Sequence, residues 1–216
     1  MTLEPLTAVV LAAGQGLRLG GPKALLAWQV PAELGGAELP LAAAHAAARL
    51  ASDSMAVLVV VRAYMAEPLG PWLPAGARLV VSGADEALGP AGSLAAAVRA
   101  GLPAELVLIT PVDCPPAAPG VVAGLRRRLA GDGRLYAARP RVGNRRGHPV
   151  LVRAALLGRY DSPDPPPLRE LLAGLGERVA DVSVDDPAVL ADLDAPAELA
   201  RWGQGAPRFF PLRTAR

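Results

Sequence analysis

Short runs of branched aliphatic residues alternate along this chain with alanine-rich stretches, and no other feature limits its possible folds so narrowly. Ala8–Ala12 (AVVLA), Ala56–Arg62 (AVLVVVR), Arg78–Ser82 (RLVVS) and Glu105–Thr110 (ELVLIT) have the length and β-branching of buried strands. Between and after them, Leu39–Ala51, Ser93–Gly101 and Pro119–Ala130 have helix composition, with Ser93 in a capping position. A strand that is apolar at nearly every position presents no wet face, so it needs cover on both sides. Such strands alternating with helices predict an α/β fold: a mostly parallel, Rossmann-like sheet sandwiched by helices.

The later part of the chain changes character. Arg134–Ala138, Pro149–Arg153 and Val179–Val184 are expected strands. The proline-rich connection Ser162–Pro167 leads into a helix at Leu168–Leu175, and Asp194–Trp202 is expected as a final helix. No internal repeat and no linker divides the 216 residues, of which 52% are hydrophobic, ample for one core. The expected organisation is one domain over residues 1–202 and a tail over 203–216, whose Phe209–Phe210 pair would dock on the body or on a partner.

Several function classes fall away on composition. The net charge is only +2, and 4% aromatic content offers few platforms for stacking bases, so nucleic acid is not an expected partner. The densest basic cluster, Arg126–Arg128, reads as the wet side of a helix. The single cysteine, Cys114, excludes an intrachain disulfide and a cysteine-based zinc site. Met1–Thr7 has no leader character, and the longest apolar runs, Ala56–Val61 and Leu106–Val112, fall far short of the roughly 18–20 residues that span a bilayer. A soluble, cytoplasmic protein with no membrane partner is expected.

Leu11–Leu26 (LAAGQGLRLGGPKALL) follows the first strand directly. A glycine-rich turn at the carboxyl end of a strand is where open α/β sheets bind ligands, its free N–H groups cradling phosphates. Gly14, Gly16 and Gly20 are spaced G-x-G-x-x-x-G, not G-x-G-x-x-G, and Pro22 follows among further glycines. The same spacing occurs in short-chain dehydrogenases, which need a catalytic tyrosine with a lysine four residues on. Of the 22 basic residues 21 are arginine, and the one lysine, Lys23, precedes every tyrosine. A P-loop fails as well, because Pro22 intrudes before the lysine and Ala24 stands where a magnesium-binding hydroxyl is required.

The stretch resembles the signature L-A-A-G-x-[GS]-x-R-[ML]-G, a short spacer and K of the MobA-like NTP transferases. Leu11, Ala12, Ala13, Gly14, Gly16, Arg18, Leu19, Gly20 and Lys23 all match it. The resemblance implies that Leu11, Ala12, Ala13, Gly14, Gly16 and Lys23 bind the nucleotide. Small residues there let the backbone approach base and phosphates, and Arg18 and Lys23 supply cations for the triphosphate. Further motifs follow in family order over about residues 7–200. In TPVDCP, Asp113 matches the aspartate that binds the catalytic Mg2+, with Cys114 as a small filler. In GPAGSL, Gly92 and Ser93 match residues that hold the base or ribose. In RRGHPVL, resembling the molybdenum cofactor cytidylyltransferases, Arg145, Arg146 and His148 would meet an anionic acceptor. In VDDPAVLADLDAPAEL, Asp194 matches the second Mg2+ ligand, Asp192 being the alternative two residues away, Ala195 replaces a threonine, and Asp185 and Asp186 read as turn residues. Two stretches depart from the family: Trp28–Leu39 is longer than its usual turn, and Asp161–Pro167 is proline-loaded.

The implied activity is Mg2+-dependent nucleotidyl transfer, with Arg18, Lys23 and Asp113 catalytic. L-A-A-G together with G-H-P favours CTP as the NTP and molybdopterin as the phosphorylated acceptor, with a molybdoenzyme as a further partner. The alternatives are GTP with the same acceptor, a sugar phosphate with another NTP, or a non-catalytic nucleotide-binding accessory of molybdoenzyme maturation.

Overall fold

The computed structural model of the chain describes residues 4–32, 35–51 and 56–212. The start of the Met1–Thr7 segment, two residues of the Trp28–Leu39 stretch and the last four of the tail lie outside the described residues. In chain order the elements begin β1 (Leu6–Leu11), β2 (Ala27–Gln29), β3 (Glu38–Pro40), α1 (Leu41–Leu50), β4 (Ala56–Val61), α2 (Ala63–Leu69) and β5 (Ala77–Val81). Then come α3 (Gly89–Arg99), β6 (Leu106–Pro111), α4 (Pro119–Ala130), β7 (Ala137–Val142), β8 (Arg145–Arg146) and β9 (Val150–Arg153). The last are α5 (Leu168–Leu175), β10 (Val179–Ser183) and α6 (Pro196–Arg201).

One sheet runs in the order β5-β4-β1-β6-β9-β7-β10, with β8 pairing β7. β5, β4, β1 and β6 are mutually parallel, as are β7 and β10, while β9 runs antiparallel to both of its neighbours. The alternation of side chains along each strand divides the interior in two. Leu6, Ala8 and Val10 of β1 pack with Val57, Val59 and Val61 of β4 under α1, α2 and α4. Val9, Leu58, Val60, Val107 and Ile109 point the other way, under α3, α5 and the 3-10 turns at Ala154–Asp161. This is the expected single-domain α/β sandwich: β1, β4 and β6 are buried on both faces as their composition requires, whereas β5, at the sheet edge, leaves Val81 exposed.

The differences from expectation are local and have identifiable causes. β2 and β3 form an antiparallel hairpin that takes up the long Trp28–Leu39 stretch, so α1 starts only after Pro40. β7 starts at Ala137 because the side chain of Asp132 accepts the Arg134 N–H at 3.1 Å and holds a turn there. α3 starts at Gly89 with Pro90 in its first turn, where a missing N–H costs nothing, so Ser93 lies within the helix and caps nothing. Arg126 is buried, not wet: its guanidinium donates to the Glu4 carbonyl at 2.6 Å. No described helix is long and apolar enough to cross a membrane.

Candidate active site

Because β4, β1 and β6 are adjacent and parallel, their carboxyl ends open on one edge of the sheet. The ladder runs on beyond β1, with Ala12 N–H donating to Val60 O at 2.8 Å and Val112 N–H to Leu11 O at 3.0 Å. Ahead of that edge lies a cleft of about 510 Å³, walled by the glycine loop, the amino end of α3 and the turn after β6. The loop closes on Gly16, at φ +62°, whose carbonyl accepts from Leu19 N–H at 3.0 Å and Gly21 N–H at 3.3 Å. A Cβ on Gly16 would stand 1.9 Å from the Gly21 carbonyl oxygen, so only glycine fits. Gly14 differs: it lines the cleft, and a Cβ there would meet nothing within 4 Å. The bare backbone at Gly14 leaves its room to whatever enters the cleft.

Charged side chains from three distant segments meet at the floor. Lys23, on the 3-10 turn after the loop, is buried, and its ammonium donates to one carboxylate oxygen of Asp194. Asp192 and Asp113 stand 3.7 and 3.9 Å from the same Nζ. Arg18 donates to the other oxygen of Asp194 from a side chain that is 75% exposed. The backbone ties the acidic segment to β6, since Leu193 N–H donates to the Asp113 carbonyl at 2.6 Å. Partial burial works against the charge of Asp194, but the Lys23 hydrogen bond and charge, with Arg18 adding, outweigh it and lower its pKa. Asp192 goes the opposite way, held up by partial burial and by the charges of Asp113 and Asp194 against the pull of Lys23.

The cleft thus brings together Leu11, Ala13, Gly14, Gly16, Arg18, Lys23, Ser93, Asp113 and Asp194 of the expected site residues. Ala12 is buried behind it and Gly92 is buried in α3, so Gly89 and Pro90 line that wall in place of Gly92. Arg62, at the end of β4, joins the site with no motif to announce it. Its Nε donates to the Ala13 carbonyl at 2.8 Å and its Nη1 to Glu86 at 2.8 Å, lacing the glycine loop to the turn before α3.

A second, more open cleft of about 770 Å³ adjoins the first through Arg18 and Asp194. It is lined by Arg145, Arg201, Asp192 and Glu198, with Trp202, Pro187 and Leu190 as its apolar wall. Alternation along the short strand β8 separates the two expected arginines: Arg145 lines this cleft, whereas Arg146 donates to Asp181 at 3.1 Å beside Arg139. Gly147 lets the turn at Pro187–Leu190 approach, since a Cβ would stand 2.1 Å from the Val189 carbonyl oxygen. His148, before a cis proline, donates its backbone N–H to that carbonyl at 2.8 Å and lines neither cleft. Its ring keeps exposed surface but is crowded enough for desolvation to lower its pKa, against the attraction of Asp113. The G-H-P segment therefore positions the acidic segment beside Lys23.

Behind Asp113, two α1 side chains hold the following loop from below. His45 donates from Nε2 to the Cys114 carbonyl at 2.8 Å, and Arg49, one turn on, donates to the Ala117 carbonyl. Burial pulls the His45 pKa down to about 4, with the Cys114 hydrogen bond opposing and Arg49 adding, so the ring is neutral at pH 7. Cys114 is buried, and desolvation raises its thiol pKa, consistent with a filler and not a nucleophile.

A mostly parallel sheet with a glycine loop, two cations and paired carboxylates at its carboxyl edge defines a nucleotide-binding α/β protein of the phosphate-transferring kind. Residues 8–179 match the MobA-like NTP transferase domain, and the chain belongs to that family. No curated protein matches it. Among solved structures it is similar to the homologue of Mycobacterium tuberculosis Rv0371c from Mycobacterium sp. strain JC1, at 25% identity and a TM-score of 0.67 over 91% of this chain and 94% of that one. It is also similar to Rv0371c of M. tuberculosis H37Rv in complex with manganese (22%, 0.63, 91% and 97%). A third is the 2-C-methyl-D-erythritol 4-phosphate cytidylyltransferase of Thermus thermophilus (23%, 0.62, 91% and 96%).

Proposed function

We propose that this chain transfers a nucleoside monophosphate from an NTP, with CTP favoured, to the phosphate of an acceptor, and that the acceptor is molybdopterin. The observation that carries the reading is the meeting of Lys23, Arg18, Asp113 and Asp194 beside the bare backbone of the glycine loop. The choice of CTP and molybdopterin rests on the L-A-A-G and G-H-P motifs, and the cytidylyltransferase of like fold supports the CTP part. The product would pass to a molybdoenzyme.

The nucleophile is a phosphate oxygen of the acceptor, already anionic at neutral pH, so no general base is needed. It bonds to the α-phosphorus while the bond from that phosphorus to the α–β bridging oxygen breaks and pyrophosphate leaves. Catalysis is then placement and charge neutralisation. Lys23 is fixed by burial and faces the α-phosphate. Arg18 is exposed enough to release Asp194 and follow the β- and γ-phosphates. The acceptor enters by the second cleft, its body between Arg145 and Trp202. Asp113 and Asp194, which both stand beside the Lys23 ammonium, are hard oxygen donors and are the residues that would hold Mg2+. When bound, the ion supplies Lewis-acid charge to the phosphoryl oxygens.

Pyrophosphate release tests the reading, with each of the four NTPs offered alone, with molybdopterin and with sugar phosphates. CTP with molybdopterin is expected to turn over. Turnover confined to GTP or to sugar phosphates would move the reading to those substrates. Binding of an NTP without release in any pairing would leave an accessory module and end the enzymatic reading.

A further inference from the structure

The tail beyond α6 does more than dock. Its backbone pairs with the segment that follows Lys23: Ala27 N–H donates to Arg208 O at 2.8 Å, Phe210 N–H donates to Leu25 O at 2.9 Å, and Leu26 and Phe209 form an antiparallel bridge. The Phe209 ring packs against Gly21 of the glycine loop, for a Cβ on Gly21 would meet three of its ring atoms at 3.0–3.1 Å. The Gly21 carbonyl is the same group that leaves no room for a side chain at Gly16. Phe209, Gly21 and Gly16 are therefore stacked in direct contact, with Lys23 two residues beyond Gly21. The tail is anchored at further points: Phe210 packs edge-on against Trp72 with ring centroids 4.6 Å apart, Arg208 pairs with Glu38, and Gln204 accepts the Gln29 N–H at 2.9 Å.

We infer that residues 208–210 brace the glycine loop from behind, and that Phe209 is a positioning residue which holds that loop and, through it, the Lys23 ammonium. Gly21 has no unusual backbone angle that would demand glycine, so its contact with this ring is what restricts it. The effect on turnover rests on the nucleotidyl-transfer reading above; the effect on the loop does not.

The test uses the full chain and two readouts. Hydrogen exchange is followed in wild type, Phe209→Ala and Phe209→Tyr. Amides of residues 14–26 are expected to exchange on the order of 10-fold faster in Phe209→Ala, with the strand amides unchanged, and Phe209→Tyr is expected to restore protection. In pyrophosphate release, Phe209→Ala should lose about 10-fold or more in kcat with a smaller change in the NTP KM, since misplacing a charge by a fraction of an ångström acts on the transition state. Gly21→Ala should produce the same loss, and combining it with Phe209→Ala should cost less than the product of the two. Unchanged exchange over residues 14–26 in Phe209→Ala overturns the inference whatever the activity. So does faster exchange at wild-type kcat, or losses that multiply. A wild-type chain that releases no pyrophosphate with any NTP would instead sink the functional reading, and the exchange data would still decide the contact.

Discussion

Lys23 and Asp194 are joined by an ammonium–carboxylate hydrogen bond across 171 positions of sequence. With Asp113 and Asp192 within 3.9 Å of the same nitrogen, one buried ammonium balances carboxylates from two segments. A guanidinium is a wide planar fork and does not fit where a compact ammonium is ringed in this way. Lys23→Arg is therefore expected to lose about 100-fold or more in kcat, the scale of a lost transition-state donor. Lys23→Met should in addition lower the melting temperature, because it leaves the carboxylates to repel one another. Steady-state pyrophosphate release and thermal melts measure both, and near wild-type turnover in Lys23→Arg would remove Lys23 from the reacting phosphates.

Three carboxylates near one point are expected to differ in weight. Asp113 is tied to the acidic segment through its own carbonyl, and Asp194 holds both cations, whereas the Asp192 side chain is 64% exposed and its pKa is held up. Asp113→Ala and Asp194→Asn should abolish Mg2+-dependent turnover, and Asp113→Ala should leave the melting temperature near wild type. Asp192→Asn should stay within about threefold, as an exposed ion pair is worth little. Manganese titration followed by electron paramagnetic resonance reads the same ranking without turnover. Loss of the ion in Asp192→Asn but not in Asp194→Asn would exchange their roles.

His45 gives the fold a dependence on acid. Its pKa is about 4 in the folded chain against 6.5 ordinarily, so below pH 6.5 the unfolded chain takes up a proton that the folded one refuses. The stabilisation is complete above pH 6.5 and is lost as pH falls toward 4, amounting to roughly 2 kcal/mol by pH 5. That should appear as a fall in melting temperature on the order of 5 °C between pH 7 and pH 5. His45→Gln keeps a donor for the Cys114 carbonyl and removes the titration, so its profile over that range should be flatter than that of wild type. Parallel profiles would assign the acid sensitivity elsewhere.

What could be read from sequence follows how local the physics is. The strands around the cleft declare themselves by uninterrupted branching, and Lys23, Arg18, Asp113 and Asp194 each sit in a motif at an element's end. The resemblance of GPAGSL points to Gly92 and Ser93, although Pro90 marks the first turn of α3 and Gly89 lines the cleft in place of Gly92. Arg62 and His45 act on backbone carbonyls 49 and 69 residues away, at Ala13 and Cys114, and no spacing rule records such a bond. The bridge between Leu26 and Phe209 is equally silent in sequence, since a two-residue contact has no period. Arg145 and Arg146 look equivalent until a strand only two residues long sends them apart.

That separation supplies the sharpest contrast available on the acceptor side. Arg145 lines the second cleft with Arg201 and Trp202, while Arg146 shares Asp181 with Arg139, and the two guanidiniums lower the Asp181 pKa against the effect of its partial burial. If the acceptor enters there, Arg145→Ala should raise the acceptor KM about 10-fold, the order expected for one charge-assisted contact, with the CTP KM nearly unchanged. Arg146→Ala should leave both constants near wild type, because an exposed pair that does not line the cleft contributes little. Raising the salt concentration should weaken acceptor binding in wild type more than in Arg145→Ala, since the variant has already lost the charge being screened. Equal effects of the two substitutions on the acceptor KM would mean that the acceptor does not lie along the Arg145 wall.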